Sequence, residues 1–117
     1  MIGAVTYPLK VSRLPVFSEK DKILEKVNGF DVLVLSAATG SGKSTTVPLF
    51  LCECFDLVIC TQTRRFAAKS LCFSVRDFLR DSPLKASRKV GYHIRNEKSQ
   101  DGARIMYMTE GISFYYL

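Results

Sequence analysis

Residues 31–48, DVLVLSAATGSGKSTTVP, restrict this chain more than any other stretch: an apolar run breaks into small and glycine residues and closes on Gly42-Lys43-Ser44. Val32, Leu33, Val34 and Leu35 favour β structure and are too few for a free-standing helix, which predicts a buried parallel strand. Residues 36–42 are then the turn. In such a turn successive backbone N–H groups point inward at a polyphosphate, an arrangement that only glycines and small side chains allow, and the next helix begins with its positive end on the same anion. On this reading Lys43 reaches the β- and γ-phosphates and the Ser44 hydroxyl holds a magnesium ion. One position departs from the pattern G-x-x-x-x-G-K-[ST]: the first glycine is Ala37, tolerable where the backbone is not left-handed. The plainer alternative is a glycine-rich turn with a chance lysine.

At 117 residues the chain is one domain at most, short for a nucleotide-hydrolysing α/β unit, and its 47% apolar content is that of globular material. The net charge of +6 is unevenly placed: residues 1–58 carry six basic and six acidic side chains, residues 59–117 eleven basic and five acidic. The excess is either a solvated face or a phosphate-backbone track beside the nucleotide site. Cys52, Cys54, Cys60 and Cys72 lack zinc-ligand spacing and are expected to be reduced core thiols of a cytoplasmic or nuclear protein. Pro8, Lys10, Arg13 and Pro15 interrupt the N-terminal segment, which reads as neither signal peptide nor membrane span.

In chain order, residues 1–15 read as an extended lead-in punctuated by prolines. Ser18 with Asp21 forms a capping box for a helix that Asn28-Gly29 stops. After the phosphate loop a helix is predicted over residues 43–54, with Val47, Leu49, Phe50, Leu51 and Cys54 inward. Residues 57–60 are a second buried strand running into the polar and basic residues 61–65, at a strand's carboxyl end, where open α/β sheets place ligands. The helical period returns over 66–80, with Lys69, Arg76 and Arg80 sharing a face that reads as solvated surface. Strands follow at 90–95 and 104–108, separated by a polar turn over 96–102, and a short helix is expected over 112–117. His93, with no acid or nucleophile partner, reads as a surface residue.

These signals, in this order, resemble the start of the first RecA-like domain of a DEAH-box RNA helicase, within helicase superfamily two. Five segments carry the likeness over roughly residues 14–113: LPVFSEKDKILEKV, ATGSGKSTTVP, ICTQTRRFAAKSL, VGYHIRNE and IMYMTEGI. The resemblance implies an α/β P-loop NTPase fold, with a partial RecA-like domain over residues 16–117, a mainly parallel sheet flanked by helices, and ATP with Mg2+ as the cofactors. It puts Thr39, Gly40, Ser41, Gly42, Lys43, Ser44 and Thr45 on the ATP phosphates, with Lys43 and Ser44 catalytic and Ser44 on the metal. It puts Thr61, Gln62, Arg64, Arg65, Arg95, Thr109 and Glu110 on the backbone of single-stranded RNA, contacts that position a strand without reading it.

The departures are Ala37, Thr63 in place of a proline, Phe66 in place of a smaller aliphatic residue, and Ser74 where the family often carries an arginine that stacks on adenine. The 117 residues contain no D-E-x-H motif to anchor the metal and orient water. The expectation is the N-terminal part of a longer ATP-dependent RNA helicase, inactive in turnover by itself and with apolar strand edges left bare. The alternative is a truncated module that binds nucleotide or RNA without hydrolysis. An unrelated phosphate-loop protein such as a kinase finds no acceptor-site or lid residues in the chain.

Overall fold

Four strands form one sheet in the order β1-β4-β2-β3, where β1 is Val58–Gln62, β2 is Val90–Ile94, β3 is Glu97–Lys98 and β4 is Ile105–Thr109. The computed structural model describes residues 6–36, 40–99 and 102–113. β4 pairs in parallel with β1, Val58 opposite Ile105 and Gln62 opposite Thr109, and in parallel with β2, Val90 opposite Ile105. β1 and β2 run parallel on either side of β4, and since parallel strands cannot be joined by a tight turn, helix α4 (Arg65–Leu79) crosses between them. Among the described strands only β3 runs antiparallel, joined to β2 by the two residues Arg95 and Asn96, with Asn96 in the left-handed region at φ 64°. The predicted polar turn over 96–102 is therefore partly a hairpin.

Helix α3 (Lys43–Leu51) and α4 pack on the sheet through Leu49, Phe50, Ala68, Cys72, Val75 and Leu79, which join Ile105 and Tyr107 of β4 in one buried cluster. Met106 and Met108, on the alternate positions of β4, face the other side and are also buried. Tyr7 and Phe17 pack edge-on against Phe50, at 5.7 and 5.6 Å between ring centroids, and so close the end of the cluster.

Several sequence expectations are corrected. The lead-in is not extended throughout, since α1 (Leu9–Ser12) makes a helical turn directly after Pro8. The predicted capping box does not form: Pro15–Glu19 is a 3-10 turn in which the Ser18 hydroxyl donates back to the Pro15 carbonyl, and helix α2 (Lys20–Gly29) starts beyond it without a side-chain cap. α3 ends at Leu51, which leaves Cys54 exposed while Cys52 is buried.

The largest correction concerns residues 32–35, which form no strand and are exposed, Val32 and Val34 at 81% and 87%. A strand exists only where its backbone ladders with a neighbour, and no described strand pairs with this segment. Short α5 (Leu84–Ser87) and α6 (Glu110–Ser113) complete the chain; the helix predicted over 112–117 thus starts earlier, and residues 114–117 lie outside the described residues.

Arg104 fastens the amino-terminal end of the sheet. Its guanidinium donates to the carbonyls of Cys52 (2.7 Å), Phe55 (2.8 Å), Ser87 (3.0 Å) and Asp56 (3.3 Å). Its backbone opens both parallel ladders, accepting from Val58 N–H and donating to Lys89 O, each at 2.8 Å. Arg104→Lys keeps the charge but loses the planar fork, and is expected to lower unfolding free energy by about 1.5–3 kcal/mol in urea titration; an unchanged midpoint would show the clasp to be dispensable.

Burial pushes the Cys60 thiol up to about 12 from an ordinary 9.0, with the neighbouring Cys52 adding to it. Burial raises Cys52 and Cys72 in the same direction, against the nearby arginines. Because the folded values are the higher ones, the native state keeps protons that the unfolded chain releases. The resulting stability is complete below pH 9 and is lost between pH 9 and about 12. Urea midpoints measured from pH 8 to 11 should fall above 9, and Cys60→Ala should flatten the fall.

Candidate functional site

The loop that carries Gly40 and Gly42 is held from both sides. Gly40 and Gly42 adopt φ 83° and 98°, a left-handed backbone that glycine enters without strain. A Cβ on Gly42 would lie 2.9 Å from Leu14 Cδ1 and 3.2 Å from Thr46 Oγ1, so the second glycine of the motif is required for space as well as for conformation. The Val16 N–H donates to Ser41 O at 3.1 Å, tying the loop to the 3-10 turn, and Thr46 N–H donates to Gly42 O at 2.8 Å as α3 begins. Residues 40–45, with Leu14 and Phe78, line a cavity of about 410 Å³.

Two observations make this cavity suit a polyphosphate. Ser41 is 6% exposed and its hydroxyl oxygen has no hydrogen-bond partner among the described residues, and Gly42 leaves room for close backbone approach. The α3 N-terminus adds a positive dipole end to the Lys43 ammonium. Lys43 is half-buried, Ser44 exposed and Thr45 half-buried at this end of the helix; Thr39 lies outside the described residues.

Pro48, inside α3, has no N–H for the carbonyl of Ser44 four residues earlier. The Tyr107 hydroxyl donates to that carbonyl at 2.5 Å. Tyr107 is fully buried, and burial holds its hydroxyl well above the ordinary tyrosine range, so it stays a donor. Leu14, Phe78 and Tyr107 escape sequence reasoning, because Leu14 reads only as part of the lead-in and the other two only as apolar positions of a helix and a strand.

The second group of expected residues gathers at the carboxyl ends of β1, β2 and β4. The register sets Gln62 beside Thr109 and Thr61 beside Met108, while Arg95 follows the last residue of β2 at the hairpin tip. Arg64, Arg65 and Arg95 line one cavity of about 640 Å³ with Phe66, Lys69 and Glu97. Arg64, Arg65 and Arg95 are exposed, and Phe66 is 82% exposed among them. Glu97 is engaged elsewhere: Lys69 Nζ lies 2.7 Å from its carboxylate and the Tyr92 hydroxyl donates to it. The Lys69 and Tyr92 hydrogen bonds hold the Glu97 carboxyl below its usual range. Thr109 is half-buried and Glu110 exposed, opening α6.

The expected solvated stripe is more committed than its spacing shows. Lys69 is paired to Glu97, Arg76 Nε donates to Val90 O at 2.9 Å, and Arg80 bonds Asp77. His93 is half-buried, and burial, then the Lys98 charge, lowers its pKa. Among the described residues no cluster of histidine, cysteine and carboxylate side chains is arranged to hold a metal.

No family model matches the chain. It is 38% identical to human ATP-dependent RNA helicase DHX29, a match covering 86% of this chain and 8% of that protein. To the probable ATP-dependent RNA helicase DHR1 of Saccharomyces cerevisiae it is 37% identical, again over 86% of this chain and 8% of the relative. The crystal structure of Escherichia coli DEAH/RHA helicase HrpB superposes with a TM-score of 0.73 at 29% identity, covering 88% of this chain and 13% of that one.

Tyr107→Phe leaves a backbone carbonyl without its donor and is expected to cost about 1–3 kcal/mol in urea unfolding. In a Pro48→Ala background, which restores an N–H for Ser44, the same substitution should cost measurably less. Equal costs in both backgrounds would show that the hydroxyl does not replace the missing N–H.

Proposed function

We propose, from the premise that this chain belongs to the DEAH-box ATP-dependent RNA helicase family, that it holds the phosphates of ATP on residues 39–45 and the backbone of single-stranded RNA across the carboxyl ends of its parallel strands. The fold is a RecA-like fragment, a mostly parallel sheet flanked by helices. The observation that carries the reading is the left-handed Gly42 opening α3 at a cavity lined by Lys43, Ser44 and Thr45, with the buried Ser41 hydroxyl unpartnered beside it. Lys43 supplies a fixed cation to the outer phosphates. Ser44 supplies the hydroxyl for Mg2+. ATP with its metal brings the phosphoanhydride whose hydrolysis would drive unwinding.

For RNA, the hairpin tip that presents Arg95 and the strand end that presents Arg64 and Arg65 converge on one cavity. An arginine fork suits a phosphate because it is always charged and bonds bidentately. Thr61, Gln62, Thr109 and Glu110 extend the same end of the sheet, and their hydroxyl, amide and backbone groups position a strand without reading it. The basic excess of residues 59–117 is thus read as part track, not wholly solvated face.

The chain spans about 8% of the length of the two curated relatives described above. Helicase activity is accordingly proposed for a longer protein to which this segment contributes the nucleotide cradle, and a cytoplasmic or nuclear location is proposed with it. No helix among the described residues is long and apolar enough to cross a membrane. For the 117 residues alone the expected outcome is binding of Mg-ATP without multiple turnover.

Calorimetric titration tests this. Lys43→Ala should weaken Mg-ATP binding at least about tenfold, equivalent to about 1.4 kcal/mol. Arg64→Ala with Arg65→Ala should lower the salt-dependence slope of single-stranded RNA binding by about 1.4, the value for two lost phosphate contacts. ATP binding indifferent to Lys43, or an RNA-stimulated ATPase above the Lys43→Ala control, would overturn the respective part of the reading.

A further inference from the structure

The strongest concentration of positive charge lies at the opposite end of the sheet from the strand ends described above. The last turns of α4, α5 and the residues leading into β2 enclose a cavity of about 460 Å³, lined by Arg76, Arg80, Lys85, Arg88 and Lys89 against the single carboxylate of Asp77. This volume falls within the range of about 300–1,000 Å³ usual for small-molecule sites. Val90 lines this cavity and Ile94 the one that holds Arg64 and Arg95, so the four-residue rise of β2, about 13 Å, separates the two.

Arg88 distinguishes this cluster from a solvated basic face. It is 7% exposed, its Nε has no hydrogen-bond partner, and among the described residues no carboxylate forms an ion pair with it. Its guanidinium reaches two hydroxyls, that of Ser87 at a long 3.4 Å from Nη1 and that of Tyr7, and neither is an anion. A buried guanidinium without an anionic partner is costly. Asp77 does not serve it, being engaged by Arg80 and by Lys10 at 3.3 Å. Lys85 and Lys89, exposed at the rim, form no ion pair among the described residues either.

We propose that this cavity is a second anion site, independent of the phosphate loop, that takes a small oligophosphate. The planar fork of Arg88 at the wall suits bidentate contact with one phosphate, and the two rim lysines supply point charges for a neighbouring one. A single carboxylate would leave most of the surrounding charge unmatched. A polynucleotide needs cations spread along a line, whereas these five line one cavity between one helix end and one short connection.

Inorganic tripolyphosphate, titrated calorimetrically into the full chain, tests this against the phosphate loop. In a Lys43→Ala background one binding event should persist. Adding Lys85→Ala and Lys89→Ala, both on exposed positions, should weaken that event at least about tenfold, with the circular dichroism spectrum unchanged. In the chain with Lys43 intact, the same double substitution should spare Mg-ATP binding. Arg88→Met should abolish the event; should that variant fail to fold, the lysine pair still decides. The proposal is overturned if Lys43→Ala alone abolishes tripolyphosphate binding, or if the lysine pair leaves it unchanged. It is overturned equally if sulfate at matched ionic strength binds as tightly, or if the lysine pair weakens binding of an oligoribonucleotide but not of tripolyphosphate, which would make the cluster a nucleic-acid surface.

Discussion

Arg104 sets the alignment on which the functional end of the molecule depends. One guanidinium gathers carbonyls from the end of α3, the approach to β1 and the approach to β2, while the same residue's N–H and C=O open the ladders on either side of β4. Parallel strands have no hairpin to set their stagger, so register must come from contacts of this kind. Gln62 and Thr109 inherit their positions from that stagger, because Gln62 meets Thr109 only if Val58 meets Ile105. A slip of one residue along β1 would turn Cys60 and Gln62 to the opposite face.

The elements that could be read from sequence are those whose information is local. α4 spans Arg65–Leu79 where the periodicity predicts 66–80, and β1, β2 and β4 lie within two residues of their expected limits. Gly42 could be read as well, since its motif needs a backbone that other residues resist. Residues 32–35 mislead because β propensity states what a segment fits, and a strand also requires a partner. Arg104 looked like one more basic residue, and Tyr107 like one more apolar strand position. The work each does is defined by residues about fifty to sixty positions away, Cys52 and Ser44, which no local window contains.

Charge is divided along the sheet. The carboxyl ends carry Arg64, Arg65 and Arg95, with the carboxylate that lines their cavity, Glu97, occupied by Lys69 and Tyr92. The amino ends carry the basic cluster around Arg88. Between them β1, β2 and β4 carry no Lys, Arg, Asp or Glu, and through solvent the two clusters lie more than a Debye length, about 8 Å at physiological salt, apart. The positive excess is therefore two local features joined by an apolar spacer.

The bond from Tyr107 to Ser44 also has a mechanical meaning. Ser44 lies in the first turn of the helix that opens at Gly42, and Thr109 lies two residues beyond Tyr107, about 7 Å along a strand held on both sides. A proline has removed the helix's own fastening at that carbonyl, and the sheet supplies a replacement. Loop and strand end are thereby pinned through one atom, so a displacement of the first helical turn is carried into the sheet instead of being absorbed by the helix. The substitution of a proline for a hydrogen-bonding residue has, in effect, exchanged an internal strut for a tie rod between two surfaces.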